Sequence, residues 1–172
     1  MRLDDDDFSL FGLPQRQAQT RADIDARWKA LQAKVHPDKF SSEGAASQRL
    51  AMQWAVRVNE AHQRLRDPLK RAAYLCELRG APLLANENTR MPASFLMEQM
   101  AWREGLDEAE GLAAVEQIDA EVLQREQALL AEVERLLDAQ GDAAAAAEQV
   151  RALMFLARFR ADIDKRLEAL EP

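Results

Sequence analysis

The stretch KVHPDKF, Lys34 to Phe40, places a histidine, a proline and an aspartate between two lysines. His36 and Asp38 are the residue types that supply a general base with its orienting acid, or ligands for a metal. Neither use finds its other parts. A base or nucleophile needs a partner and a pocket, and no Ser-His-Asp or Cys-His set and no glycine-rich phosphate cradle accompanies these residues. The second of the two histidines, His62, lies far along another helical segment with no partner at ligand spacing. The one cysteine, Cys76, sits among Tyr74, Leu75 and Leu78, the setting of a buried structural thiol. It can form no disulfide within the chain and completes no zinc site. The expectation is therefore no catalytic residue, no metal, no cofactor, and a protein that is not an enzyme. Two roles stay open for His36: a solvated loop that ends a helix, or part of a surface that another protein reads.

The elements around this corner are legible. Thr20 to Val35 reads as a helix capped by Thr20, with Asp23 three residues on in a near capping box. Ile24, Trp28, Leu31 and Val35 form one apolar stripe, and Arg27 and Lys34 project along its edge. The helix stops at His36 because a residue before proline is pushed out of the α region. SSEG continues the loop, and a second long helix runs from about Ala45 to Arg66, with Leu50, Trp54, Val58, Ala61 and Leu65 on one face. Asp67-Pro68 breaks the chain before a short helix that ends near Gly80, and FSLFGLP, Phe8 to Pro14, reads as a brief apolar helical turn.

Prolines and asparagines between Ala81 and Pro92 mark a boundary. The predicted organisation is residues 1–80, a linker over 81–91, and a helical bundle over 92–172. In the bundle, Pro92 suits the N1 position of a helix reaching about Glu104. A second helix spans roughly Glu108 to Ala139, with Val115, Ile118, Val122, Leu129, Val133 and Leu136 inward. Gly141-Asp142 ends it, and a third from Ala143 to Leu170 turns Val150, Leu153, Leu156, Ile163, Leu167 and Leu170 inward. Two long amphipathic helices joined by a short turn form an antiparallel hairpin, which the first segment completes as a three-helix bundle. The class is all-α, since β-branched strand formers are few.

The first bundle helix carries a second feature. With Phe95, Gln99, Trp102 and Leu106 as its buried stripe, about 100° per residue sets Met97, Met100, Glu104 and Glu108 on the opposite face. Phe155 lies about 200° from core Leu153 by the same geometry. Off-stripe methionines suit adaptable binding surfaces. The alternative is a wide core that takes in Leu96, Met97, Met100 and Phe155.

A formal net charge of -7 argues against nucleic acid, which wants a basic footprint. MRLDDDDFSL lacks the cationic start and apolar run of a signal peptide. No apolar run approaches the ~20 residues needed to cross a bilayer, so a cytoplasmic protein without membrane partners is expected.

The chain up to about Gly80 resembles the J-domain, the module with which J-protein co-chaperones engage heat-shock-70-type chaperones. HPDKF between two long helices carries the resemblance, with VNEAHQRLRDPLKRAAY after it, where Asn59, Ala61, Leu65, Asp67-Pro68, Arg71 and Tyr74 match. It implies that His36, Pro37 and Asp38, flanked by Arg27, Lys34 and Lys39, bind the chaperone and stimulate its ATP hydrolysis. Pro37 pre-sets the loop, Asp38 offers charge-assisted hydrogen bonds, and the cations orient an acidic partner.

The whole chain also resembles the HscB family of J-type co-chaperones of iron–sulfur cluster biogenesis, in the bacterial form that lacks a cysteine-rich extension. FLMEQ, REGLDE and VRALMFLARF carry this match. It implies a J-domain followed by a three-helix bundle that holds the scaffold protein IscU and delivers it to the chaperone HscA. The implied scaffold contacts are Leu96, Met97, Met100, Glu104, Glu108 and Phe155. Ala101 and Gly105 stand where the family usually has an acidic residue and a glutamate, which implies a weaker acidic rim and a looser helix end.

Overall fold

Among residues 1–83 and 89–171, which the computed structural model describes, the chain forms helices and turns with no strand. It divides into two compact units, Met1–Tyr74 and the remainder from Leu75. Of the predicted linker, residues 84–88 lie outside the described residues. None of the described helices is long and apolar enough to cross a membrane.

The first unit is built on two antiparallel helices, α2 (Arg21–Val35) and α3 (Ala45–Arg66), preceded by α1 (Asp7–Phe11) and followed by α4 (Pro68–Leu78), which runs past the division. Thr20 caps α2 as predicted, its side chain accepting from the Asp23 amide at 3.1 Å. Ile24 and Val35 are buried on the facing side of α2. On α3 the buried set is Ala51, Val58, Ala61, His62 and Leu65, while Leu50 is 50% exposed. The predicted stripe held Leu50. The observed one keeps Val58, Ala61 and Leu65 and begins with Ala51 in place of its neighbour Leu50.

Pairing across the hairpin is specific. Trp28 Nε1 donates to Asn59 Oδ1 at 3.0 Å, and the Trp28 and His62 rings stack 4.2 Å apart. His62 Nε2 lies 2.8 Å from Asp25 Oδ1, and this hydrogen bond holds the Asp25 carboxyl below the usual carboxylate range. Asp67 caps α4 by accepting from the amides of Leu69 and Lys70. Buried Arg71 donates to the carbonyls of Gln17 and Leu65, closing the base of the hairpin.

The fully buried carboxylate of Asp7 is the charge centre of this unit. Arg64 reaches it through Nε at 2.6 Å and Nη2 at 3.1 Å, and Arg57 Nη1 makes an ionic contact at 2.7 Å. Arg57 spends its aligned hydrogen bonds on the carbonyls of Leu3 and Asp5. The Asp7 amide donates to the Tyr74 hydroxyl at 3.0 Å, and the Arg64 guanidinium covers the Tyr74 ring. One residue thus ties α1 to both neighbours, its carboxylate holding α3 and its amide meeting Tyr74 of α4.

The second unit is a bundle of α5 (Ala93–Glu108), α6 (Leu112–Glu134) and α7 (Ala143–Leu170). Pro92 is the N-cap of α5, one place before the predicted N1. α5 continues through Gly105 to Glu108, so the expected loosening at this glycine does not end the helix, and a Cβ there would meet only Ile118 at ordinary contact distance. The predicted second helix begins later, at Leu112, because Gly111 takes φ 90 and breaks the chain between α5 and α6. After Glu134 the backbone widens into a π-type turn, Arg135–Ala139, and the extra residue lets consecutive Leu136 and Leu137 both face inward. Asp142 then caps α7, accepting from the Ala145 amide. One arginine bridges each helix pair: Arg125 to Glu98, Arg160 to Glu126 and Arg103 to Asp162.

Removing one partner of a buried ion pair costs about 3–5 kcal/mol, so Asp7→Ala should lower the stability of the first unit by that order. Urea unfolding followed through Trp28 and Trp54, with Trp102 replaced by Phe, measures it, and a loss under about 1 kcal/mol would deny Asp7 this role. Burial pushes the Cys76 thiol up to about 11, against opposing pulls from Arg79 and Arg151. Iodoacetamide at pH 8 should leave Cys76 unmodified in the native protein and alkylate it once urea unfolds the chain.

Candidate functional site

The corner after α2 is built by its own backbone. His36 leaves the α region at φ -59, ψ 128, and Pro37 opens a 3-10 turn, Pro37–Phe40. His36 Nδ1 accepts from the Asp38 amide at 3.3 Å and its carbonyl accepts from the Lys39 amide at 3.1 Å. With Nδ1 so engaged, the neutral imidazole carries its hydrogen on Nε2. Ser41 Oγ donates to the Asp38 carbonyl, and Gln48 from α3 donates to the Ser41 carbonyl, fixing the turn to the next helix. The histidine is thus a brace for the turn.

The Asp38 side chain is 91% exposed, and its carboxylate lies 3.6 Å from His36 Nδ1. Lys34, Lys39 and Arg27 are exposed beside it. Arg27 and Lys34 line a groove of about 350 Å³ together with Leu31 and Asp5, so a carboxylate shares the groove with the predicted cations. A second groove of about 400 Å³ joins Lys34 to Val35, Phe40, Leu50 and Trp54, an apolar flank that hydrophobic periodicity had assigned in part to the core.

On the bundle, α5 buries Phe95 and Leu106 and half-buries Gln99 and Trp102, the predicted stripe. Leu96, Met97 and Met100 are 47%, 71% and 66% exposed, which rules out the wide core for these three. Phe155 of α7 is half-buried, set edge-on against Phe95 at 5.8 Å and stacked beside Phe159 at 6.2 Å. A groove of about 580 Å³ gathers Met100, Glu104, Glu108 and Phe155 with Gln99, Arg103 and Asp107. Leu96 and Met97 lie on the same helix outside its lining.

Gln99, Arg103 and Asp107 were not singled out by residue type. Their signal is spacing, since Arg103 and Asp107 follow Met100 by three and seven positions and share its face. Asp107 supplies a third carboxylate to a rim that Ala101 leaves bare. Among the described residues, none of Glu104, Asp107 and Glu108 makes an ion pair. The arrangement offers an apolar floor within an acidic edge, and it brings together no set of reactive groups.

Residues 91–164 match a family model described as the HSCB C-terminal oligomerisation domain. A co-chaperone protein HscB homolog of Burkholderia mallei is 48% identical over 172 residues, covering 98% of this chain and 98% of its own. Among solved structures, chaperone HscB from Vibrio cholerae gives a TM-score of 0.82 at 34% identity, over 97% of this chain and 100% of its own. Human co-chaperone protein HscB gives 0.88 at 27% identity, over 96% of this chain and 84% of its own.

Exposed side chains away from special features change stability by roughly 0.5 kcal/mol or less. Met97→Ala combined with Met100→Ala should therefore leave the thermal midpoint almost unmoved. Phe95→Ala, which opens a cavity, should cost about 3–5 kcal/mol. A double methionine variant as unstable as Phe95→Ala would return those methionines to the core.

Proposed function

Because the chain belongs to the HscB co-chaperone family, we propose that it acts in iron–sulfur cluster biogenesis as an adaptor with two protein-binding surfaces. The corner formed by His36, Pro37 and Asp38, with Arg27, Lys34 and Lys39, binds a specialised heat-shock-70-type chaperone, HscA, and stimulates its ATPase. The α5–α7 face, with Leu96, Met97, Met100, Glu104, Glu108 and Phe155, holds the scaffold protein IscU and delivers it to that chaperone in the cytoplasm. The observation that carries this reading is the outward placement of three large apolar side chains on a helix whose core positions are already filled. Such a patch within a polar rim marks a protein contact.

The chemistry stays in the chaperone. Asp38 is free to take charge-assisted hydrogen bonds from a partner's arginine, and the surrounding cations raise the encounter rate with an acidic surface. Binding a hydrolysis-competent conformation more tightly than its alternative shifts the population toward it.

The matching family model carries the word oligomerisation in its description, which favours one second reading, that the exposed α5 face meets another copy of the chain. Sedimentation equilibrium separates the two. A stable dimer abolished by Met97→Ala with Met100→Ala supports self-association, and a monomer that sediments with IscU supports the adaptor.

The adaptor reading predicts two independent losses. His36→Gln should abolish stimulation of the chaperone ATPase, measured as phosphate release, while IscU binding measured by calorimetry survives. Replacing Met97, Met100 and Phe155 by alanine should weaken IscU binding at least about tenfold, since truncating a central apolar contact costs ~1–2 kcal/mol or more. Normal ATPase stimulation by the His36→Gln protein would sink the assignment of the first surface.

A further inference from the structure

Among the described residues, Arg103 is the one cation lining the α5–α7 groove, beside Glu104, Asp107 and Glu108. Position alone would pair it with Asp107, four residues on along the same helix face. The structure shows a different partner. Both terminal nitrogens of Arg103 donate to Asp162 Oδ2 on α7, each at 3.1 Å. The guanidinium lies over the Phe159 ring, 4.7 Å from its centroid, and Phe159 stacks beside the groove residue Phe155. Arg103 is thus neutralised by a carboxylate outside the groove lining and held flat against an aromatic wall.

The consequence is a matter of sign. With Arg103 drawn to α7, the three carboxylates of the lining keep their charge for a partner. If Asp162 were absent, the guanidinium would fall to Asp107 or Glu104 and cancel part of that field. We propose that Arg103 is a positioning residue: its contact with Asp162 keeps the groove rim anionic and so selects a partner surface that offers an apolar side chain flanked by lysine or arginine. This rests on the scaffold-binding reading of the groove and adds to it a residue that acts through the charge it withholds from the rim. The pair is exposed, with side-chain accessibilities of 44% and 46%, so its stability contribution is small and its variants should fold.

The test measures association of IscU with full-length variants by stopped flow across a salt series. Asp162→Asn, which releases the cation into the rim, should slow association by about threefold or more and flatten its salt dependence, because steering by opposite charge is lost. Arg103→Gln, which removes the cation, should associate at least as fast as the wild type. The double variant should follow Arg103→Gln, so that deleting Arg103 rescues the loss caused by Asp162→Asn. Equal slowing by both single variants, with an unchanged salt slope, would overturn the proposal and leave a purely structural contact.

A second measurement is independent of the scaffold. In nitrogen-15 spectra the Arg103 guanidinium should show hindered rotation in the wild type and averaged signals in Asp162→Asn. Averaged signals already in the wild type would overturn the clamp itself. Hindered rotation in a protein that fails to bind IscU would overturn the adaptor reading while upholding the clamp.

Discussion

A helix with 3.6 residues per turn can give one stripe to its own core, and every outward surface here follows from how that stripe is filled. In α5 the positions of Phe95 and Leu106 satisfy the bundle completely, so Met97 and Met100 have no interior to enter. In α2, Ile24 and Val35 are buried, which leaves Arg27 and Lys34 to project together from the remaining face. The period also decides what a neighbour may add. Phe155 reaches the groove edge because Leu153 and Leu156 on either side of it are already buried.

The residues that carry the resemblance of the first unit divide between holding the fold and facing outward. Asn59 accepts from Trp28, Asp67 caps α4, Arg71 closes the hairpin base on two carbonyls, and Tyr74 receives the Asp7 amide. The first of these contacts joins α2 to α3, the hairpin from whose turn the His36 corner projects, and the others hold α1 and α4 to it. At that corner the Asp38 side chain lies almost wholly in solvent, beside exposed Arg27, Lys34 and Lys39. His36 spends its Nδ1 on the turn, so the ring braces the backbone that presents Asp38.

Local chemistry made much of this readable in advance. The Thr20 cap, the stop before Pro37, the full extent of α3 and the outward methionines follow from short-range rules about capping, proline and helical period. What escaped those rules depends on distant partners. Nothing in the run of four aspartates singles out Asp7 until Arg57 and Arg64, fifty or more residues away, enclose it. Leu50 is the larger hydrophobe, yet its neighbour Ala51 is the one buried, a choice between adjacent positions that hydrophobicity along the chain does not make. The π-type turn at Arg135–Ala139 likewise answers a demand to bury two adjacent leucines, which a fixed period cannot express.

The same logic accounts for charge. In the bundle, arginines bridge the helices: Arg125 to Glu98, Arg160 to Glu126 and Arg103 to Asp162. Each bridge commits a cation to a carboxylate of a neighbouring helix, while Glu104, Asp107 and Glu108 make no ion pair among the described residues. In the first unit the reverse holds locally, since Arg27, Lys34 and Lys39 stay exposed while the Asp7 carboxylate is internal. A chain with a net charge of -7 therefore presents a basic corner and an acidic groove. Under the proposed reading this difference of sign keeps the two partners apart. A surface steered to one patch is repelled by the other, because juxtaposed like charges cost more than a rim pair gains.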